Sequence, residues 1–92
     1  MTRRKEFNKN LVNIGTILKS YRLDLSLPKK SREFFLSDRI EKGILEENSI
    51  SLETLKNIEN GKTLPSLRTL KLLSIALEVD FFTLLKDIYD LI

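Results

Sequence analysis

The segment 51–67 limits what this chain can fold into more than any other stretch of its sequence. Apolar residues recur in its first half at the spacing of one helix face. Gly61 follows the last of them, at the position where a left-handed residue commonly ends a helix. We therefore predict a short helix over 52–60, a proline-marked turn and then a second helix. The apolar residues are Leu52, Leu55 and Ile58, the predicted N-cap is Ser51, and the proline is Pro65.

The outer face of this predicted short helix is polar. A helix of this length has little stability in isolation, so neighbouring elements must hold it in place. Its outward side chains can hydrogen-bond base edges and phosphates. A short, docked helix with a polar outer face is the usual form of a DNA recognition helix. The outward residues are Glu53, Lys56, Asn57 and Asn60.

The composition excludes several classes of site. The 92 residues include no cysteine and no histidine, which removes disulfides, thiolate metal sites and the commonest general base. We therefore expect one non-enzymatic domain that uses no cofactor and no metal. No apolar run approaches the roughly 18 residues of a membrane span, and no apolar block follows the basic N-terminus. The expected location is the cytoplasm, without a membrane partner.

Charge is distributed unevenly along the chain. Residues 1–32 carry nine Lys or Arg against two Asp or Glu, giving +7. Residues 33–77 carry six against seven, giving −1, and residues 78–92 carry one against four, giving −3. A basic front and an acidic back suit a protein that faces a polyanion from one side. A solvated basic tail without a partner would explain the first nine residues equally well.

The hydrophobic periodicity predicts five helices and no strand, an all-α fold. Gly15 inside the first helix costs about 1 kcal/mol relative to alanine, so we expect another helix to approach closely there. The fourth helix is apolar almost all round and should be buried on most sides. The segment 43–50 could hold an extra helical turn followed by a loop. The predicted helices cover 10–23, Ser31 to about residue 42, 52–60, 66–78, and the residues from Asp80 onward.

The predicted fifth helix is unusually apolar. Eight of the last twelve residues are large and apolar, which is more than a terminal helix of a small monomer easily hides. Either this helix packs fully on its own core or it provides a dimer interface. The candidate interface residues are Phe81, Phe82, Leu85, Ile88, Tyr89 and Ile92.

Four stretches of the sequence, 14–22, 55–62, 65–70 and 76–80, together resemble the phage-repressor/Cro (Xre-type) helix-turn-helix family. The resemblance is specific from residue 51 to about residue 85 and looser over the first helix. It implies a compact five-helix domain in which helix 3 lies in the major groove of DNA. On this basis residues 1–9 are a basic N-terminal arm and residues 10–92 are the DNA-binding domain, with the last helix as dimer interface.

Two connections depart from the family pattern. Helices 2 and 3 of the family are joined by a tight turn, whereas here a long segment runs to Ile50. The joint between helices 1 and 2 is also longer than usual. Extended connections of this kind resemble those of some Gram-positive peptide-responsive regulators. Those regulators carry a helical-repeat sensor domain that we do not expect within these residues.

The resemblance also implies roles for individual residues. Asn57 could pair with adenine and Glu53 with a cytosine amino group, whereas Leu52 could touch a thymine methyl or pack in the core. Arg22 and Glu59 are implied to form a structural ion pair between helices 1 and 3. The implied base contacts are Leu52, Glu53, Lys56 and Asn57, and the implied phosphate contacts are Ser31, Arg32, Asn60, Lys62 and Thr63.

Two functions remain open on the sequence. The first is a sequence-specific DNA-binding transcriptional regulator, a repressor that binds a near-palindromic operator as a homodimer. The second is a protein-interaction module, antitoxin-like or anti-regulator, that captures another protein. The near-zero net charge of helix 3 favours the second, and so would an exposed Leu52 at its start. Selection of bound DNA sequences would separate the two.

Overall fold

The computed structural model describes residues 8–92, and these form five α-helices and a closing 3-10 turn. The described part of the chain has no strand, which confirms the predicted all-α fold. The first seven residues of the predicted basic arm lie outside the described residues. The elements are α1 (Lys9–Asp24), α2 (Arg32–Glu41), α3 (Leu52–Glu59), α4 (Leu67–Ala76), α5 (Phe81–Ile88) and the turn Tyr89–Leu91.

Every α-helix begins with a side chain that caps its first turn. Ser51 accepts a hydrogen bond from the Thr54 backbone N–H (3.0 Å) at the start of α3. Because a helix N-terminus leaves N–H groups without intrahelical partners, such caps fix where each helix starts. Asn8 caps α1, so Lys9 belongs to that helix and not to an arm. The other caps are Ser31 for α2, Ser66 for α4 and Asp80 for α5.

The core lies where the five helices meet. α3 packs against α1 and α2, α5 packs against α4, and α1 also contacts α5 and the closing turn. All five helices supply buried apolar residues, so no helix is stable without the others. The largest fully buried side chains are Phe35, Ile14, Leu18, Leu55, Ile58, Leu73, Leu84 and Ile88.

The long connection between α2 and α3, residues 42–51, contains turns and no helix. Leu45 and Ile50 anchor it, since both side chains are buried in the core. The backbone N–H groups of Ile44 and Leu45 donate to the Arg39 carbonyl at 2.8 and 3.1 Å. Between the two anchors, the residues from Glu46 to Asn48 are exposed. The connection is therefore long but fixed at both ends.

One expectation about α4 was wrong. This helix was predicted to be buried on most sides, but its side chains Leu67 and Ile75 are 70% and 47% exposed. Hydropathy shows that this helix is rich in apolar residues, but it does not show which of its sides faces the core. Neither this helix nor any other among residues 8–92 is long and apolar enough to span a membrane.

A buried arginine on α2 joins this helix to the end of α4. Arg39 Nη2 donates to Asp38 Oδ2 at 2.6 Å, and Arg39 Nη1 donates to the Ala76 carbonyl at 3.2 Å and to Glu78 Oε2 at 2.7 Å. Lys42 Nζ lies 3.2 Å from Asp38 Oδ1. Hydrogen bonds from Arg39, and then Lys42, hold the pKa of Asp38 below its ordinary value against the effect of burial. The network satisfies the only charged groups that α2 buries.

Candidate nucleic-acid interface

α3 is held by one face and exposes the other. Successive residues of an α-helix are rotated by about 100°, so the buried Leu55, Ile58 and Glu59 fall on one side of the helix. The opposite side is free to meet a ligand. The residues on it, which lie within about 100° of one another, are Glu53, Lys56, Asn57 and Asn60.

Two glycines allow α1 to lie directly against α3. A Cβ built on Gly15 would lie 2.5 Å from the carbonyl oxygens of Ile58 and Glu59, so the predicted close approach is confirmed and its partner is α3. Gly61 ends α3 with a φ of 76°, as predicted for a left-handed cap. A Cβ on Gly61 would also lie 2.6 Å from the Cα atom of Val12. Both ends of the α1–α3 contact therefore require glycine.

A buried ion pair fixes the same two helices. Arg22 Nε donates to Glu59 Oε2 at 2.6 Å, and Arg22 Nη2 donates to Glu59 Oε1 at 2.8 Å. Both residues are 5% exposed. The remaining guanidinium nitrogen of Arg22 donates to the Lys30 carbonyl in the α1–α2 connection. A planar guanidinium that makes two bonds to one carboxylate sets orientation as well as distance, so this pair fixes the angle of α3.

Arg32 joins this pair, a contact that no sequence pattern predicts. Its Nε donates to Glu59 Oε1 at 2.8 Å, and its Nη2 lies 3.4 Å from Asn60 Oδ1. Arg32 therefore links the first turn of α2 to the end of α3. Its side chain is 23% exposed, so part of the guanidinium still meets solvent. Two arginines around one carboxylate leave the cluster with one surplus positive charge.

The start of α2 adjoins this positive cluster. Ser31 Oγ accepts from the Phe34 N–H at 3.1 Å, and the earlier N–H groups of the helix have no intrahelical acceptor. Such groups, together with the helix dipole, favour an anion at this end. Lys30 is tied to the end of α1, since its Nζ donates to the Leu23 and Leu25 carbonyls at 3.1 and 2.8 Å. Its charge is thereby held at the end of α1.

The candidate base-reading residues of α3 divide into two groups. Glu53 and Lys56 are exposed and Asn57 is half-buried, all on the outward side. Leu52 is 38% exposed and lies about 100° from Glu53 around the helix, towards α2. It lines a groove with α2 residues that include Leu36. The three polar candidates thus share the outward side of α3, and Leu52 lies at the edge of that side, one helical turn before Lys56.

Comparison with known proteins identifies the segment that contains α3. A helix-turn-helix family model matches residues 45–84, which hold α3, α4 and the first half of α5. This segment is similar to the Xre/Cro-like helix-turn-helix family, which supports the resemblance stated from the sequence. No curated protein and no solved structure gave a significant match. The family is a DNA-binding regulatory one, and the match supports a DNA-binding regulator in general terms.

The family match leaves α1 and α2 outside it. The helix-turn-helix segment nevertheless depends on both, because Arg22 comes from α1 and Arg32 from α2. Beyond α3, the candidate phosphate contacts Asn60, Lys62 and Thr63 are all exposed in the turn that leads to α4. They continue the outward side of α3 towards its end.

The predicted dimer interface on α5 is only partly at the surface. Phe82 is 72% exposed, and Tyr89 and Ile92 are similarly open. Phe81 and Leu85 are half-buried against the core. Ile88 is fully buried in the protein's own core, so it has no surface to offer a second copy. Its burial corrects its assignment to the interface, because helical periodicity places this position on the core-facing side of α5.

Proposed function

We propose that the protein is a sequence-specific double-stranded DNA-binding transcriptional repressor that inserts α3 into the major groove. One observation carries this proposal: the buried face of α3 is fixed by Arg22 and Glu59, while its opposite face is polar. A rigid support is what base reading requires, since a bidentate hydrogen bond tolerates little error in position.

Three side chains of α3 carry the base reading in this proposal. Asn57 pairs with adenine through its amide, and Glu53 accepts from a cytosine amino group. Lys56 donates to guanine or to a nearby phosphate. Because Glu53 and Lys56 cancel in charge, α3 contributes little to non-specific attraction. Affinity comes from the flanking phosphate contacts, whereas α3 supplies the sequence preference.

Phosphate binding is assigned to both ends of the α2–α3 pair. At the start of α2, the surplus positive charge of the cluster and the free N–H groups beside Ser31 receive one phosphate. Arg32 takes part with the portion of its guanidinium that Glu59 does not occupy. Beyond α3, Lys62 and Thr63 receive another. Occupancy of a promoter by this domain would then exclude polymerase.

The first experiment selects bound duplexes from a random DNA pool with purified protein at moderate salt. Recovery of one sequence family supports the proposal, and recovery of bulk DNA without preference contradicts it. On the selected site, Asn57→Ala should lose roughly 1–3 kcal/mol and relax one base position. Lys62→Ala should weaken binding to all sequences alike, and it should lower the slope of log affinity against log salt concentration by about one. Asn10→Ala and Lys19→Ala, at exposed positions of α1, are the matched controls.

We also propose that the repressor binds as a homodimer through α5. The support is three large apolar side chains that are exposed in the last eleven residues: Phe82, Tyr89 and Ile92. A two-fold dimer of this family type would read half-sites about 10 bp apart. Phe82→Glu should then yield a monomer in sedimentation and recovery of single half-sites. Leu67→Glu, at a side chain of the same exposure on α4, should leave the dimer intact.

A further inference from the structure

A groove lies between α2 and the start of α3, beside the outward face of α3 but distinct from it. It has a volume of about 660 Å³ and is open to solvent. Its apolar lining comes from Leu36, Ile40 and Leu52. Its polar lining includes the three carboxylates of Glu33, Glu41 and Glu47. The groove thus combines an apolar floor with only acidic charge, on a protein whose net charge is +3.

The helical geometry of α2 makes this groove a continuous track. Glu33 and Glu41 are eight residues apart, which places them roughly 12 Å apart on the same side of the helix. Leu36 and Ile40 form a parallel apolar row one step around the helix. The track is therefore as long as about two turns of a bound helix or about four residues of an extended peptide.

Within residues 8–92, no side-chain partner neutralises the carboxylates of the groove. Within residues 8–92, Glu33, Glu41 and Glu47 form no ion pair and no side-chain hydrogen bond. Acidic groups at these positions repel DNA phosphates. The groove therefore differs in charge from the phosphate-binding surface, although Glu33 shares the first turn of α2 with that surface and Leu52 brings the groove next to α3. Its chemistry suits a cationic occupant that also carries apolar side chains.

We propose that this groove binds a segment of a partner protein in which apolar side chains are flanked by lysine or arginine. The apolar side chains of the segment cover Leu36, Ile40 and Leu52, and its cations pair with the carboxylates around them. Charge complementarity selects the segment and raises its association rate, while apolar burial holds it. This surface acts in addition to DNA binding and places the partner beside the base-reading helix.

The direct test titrates a defined peptide into ¹⁵N-labelled protein in the absence of DNA. The probe is an amphipathic peptide of about 14 residues, four helical turns, with leucines along one face and lysines beside them. We expect amide shifts confined to α2 and the start of α3, weakened by salt. A peptide with glutamate in place of lysine, and one with scrambled leucines, should not bind. Shifts spread over other surfaces, or equal binding of all three peptides, would overturn the proposal.

A matched pair of charge reversals locates the contact. Glu41→Lys should weaken the affinity for the lysine peptide by about threefold to tenfold, because it removes one charge attraction and adds one charge repulsion. The variant should fold, since lysine is favourable in the last turn of a helix. Glu46→Lys makes the same charge change at a nearby exposed residue outside the groove lining and should weaken binding much less.

Two results would overturn the assignment even if the peptide binds. Equal weakening by Glu41→Lys and Glu46→Lys would mean general charge attraction in place of a built groove. Self-association that Glu41→Lys abolishes, measured by sedimentation, would make the occupant a second copy of this chain. Because no DNA is present, these outcomes are independent of whether the domain reads a DNA sequence.

Discussion

Two buried arginine clusters tie the helices together, and they differ in charge and in access to water. In the first cluster, Glu59 forms ion pairs with both Arg22 and Arg32, and this leaves one surplus positive charge at the candidate DNA interface. The Glu59 side chain is 1% exposed, so bulk water does not reach the carboxylate.

In the second cluster the charges balance. Arg39 and Lys42 face Asp38 and Glu78, and the Glu78 side chain is largely open to solvent. Water can therefore solvate part of this cluster when a partner is removed. The closed, unbalanced cluster therefore fixes the angle of α3, whereas the open, balanced cluster joins α2 to the end of α4.

The largest expected effect is at Glu59. Glu59→Gln keeps the shape but leaves the buried Arg22 and the neighbouring Arg32 without a counter-charge, which should cost about 3–5 kcal/mol of unfolding free energy. Urea unfolding followed by circular dichroism measures it. Glu53→Gln, on the exposed side of α3, is the control. A loss no larger than that of the control would refute the role of the closed cluster.

A steric change at the same junction comes next. In Gly15→Ala the new methyl group would meet two backbone carbonyl oxygens, so α1 and α3 must separate at a cost of about 2–3 kcal/mol. Gly43→Ala meets nothing within 4 Å but has a φ of 75°, and should cost about 1 kcal/mol from strain alone. Thermal unfolding compares them. Equal losses would show that α3 can shift without penalty.

A substitution in the open cluster should lower the free energy of unfolding by less, and its effect should disappear at acidic pH. Asp38→Asn should destabilise the protein less than either change at the α1–α3 junction. The pKa of Asp38 lies below its ordinary value of 3.8, so its stabilising effect is present above that pH. The effect is lost as pH falls through the folded-state pKa. Urea unfolding across acidic pH should show the parent and variant converging there, and a constant difference would contradict this.

The smallest effect is expected where α1 meets α5. The Tyr21 hydroxyl donates to the Asp87 carboxylate, and this hydrogen bond raises the pKa of Tyr21 above 10.0. The stabilisation is complete below that value and lost as pH rises through the folded-state pKa. Tyr21→Phe should cost about 0.5 kcal/mol at neutral pH, because the pair is near solvent. The cost should vanish in strong alkali. Tyr89→Phe serves as the control in the same unfolding assay.

The features that the sequence predicted correctly are those written in a few neighbouring residues. Ser51 as N-cap and Gly61 as left-handed cap depend only on the chain within one turn of α3. Gly15 predicted a close approach because glycine destabilises the interior of a helix, so its presence there indicates a neighbour that leaves no room for a side chain. The all-α fold followed from periodicity in the same way.

The features that could not be predicted from the sequence depend on where elements distant in the chain meet. Arg32 and Glu59 are 27 residues apart, and Arg39 and Glu78 are 39 apart, so no local pattern marks either contact. The exposure of Ile75 and the burial of Ile88 likewise depend on which side of a mostly apolar helix faces the core. Hydropathy measures how apolar a helix is, and tertiary packing decides its direction.

The anchored connection between α2 and α3 has a consequence for engineering. Its exposed tip, residues 46–48, lies between Leu45 and Ile50, which hold both ends of the loop in the core. Lengthening a loop whose ends are fixed costs only about 0.6 kcal/mol of closure entropy for each doubling. An insertion of a reporter peptide or a small folded module at this tip should therefore be tolerated without a change in the angle of α3.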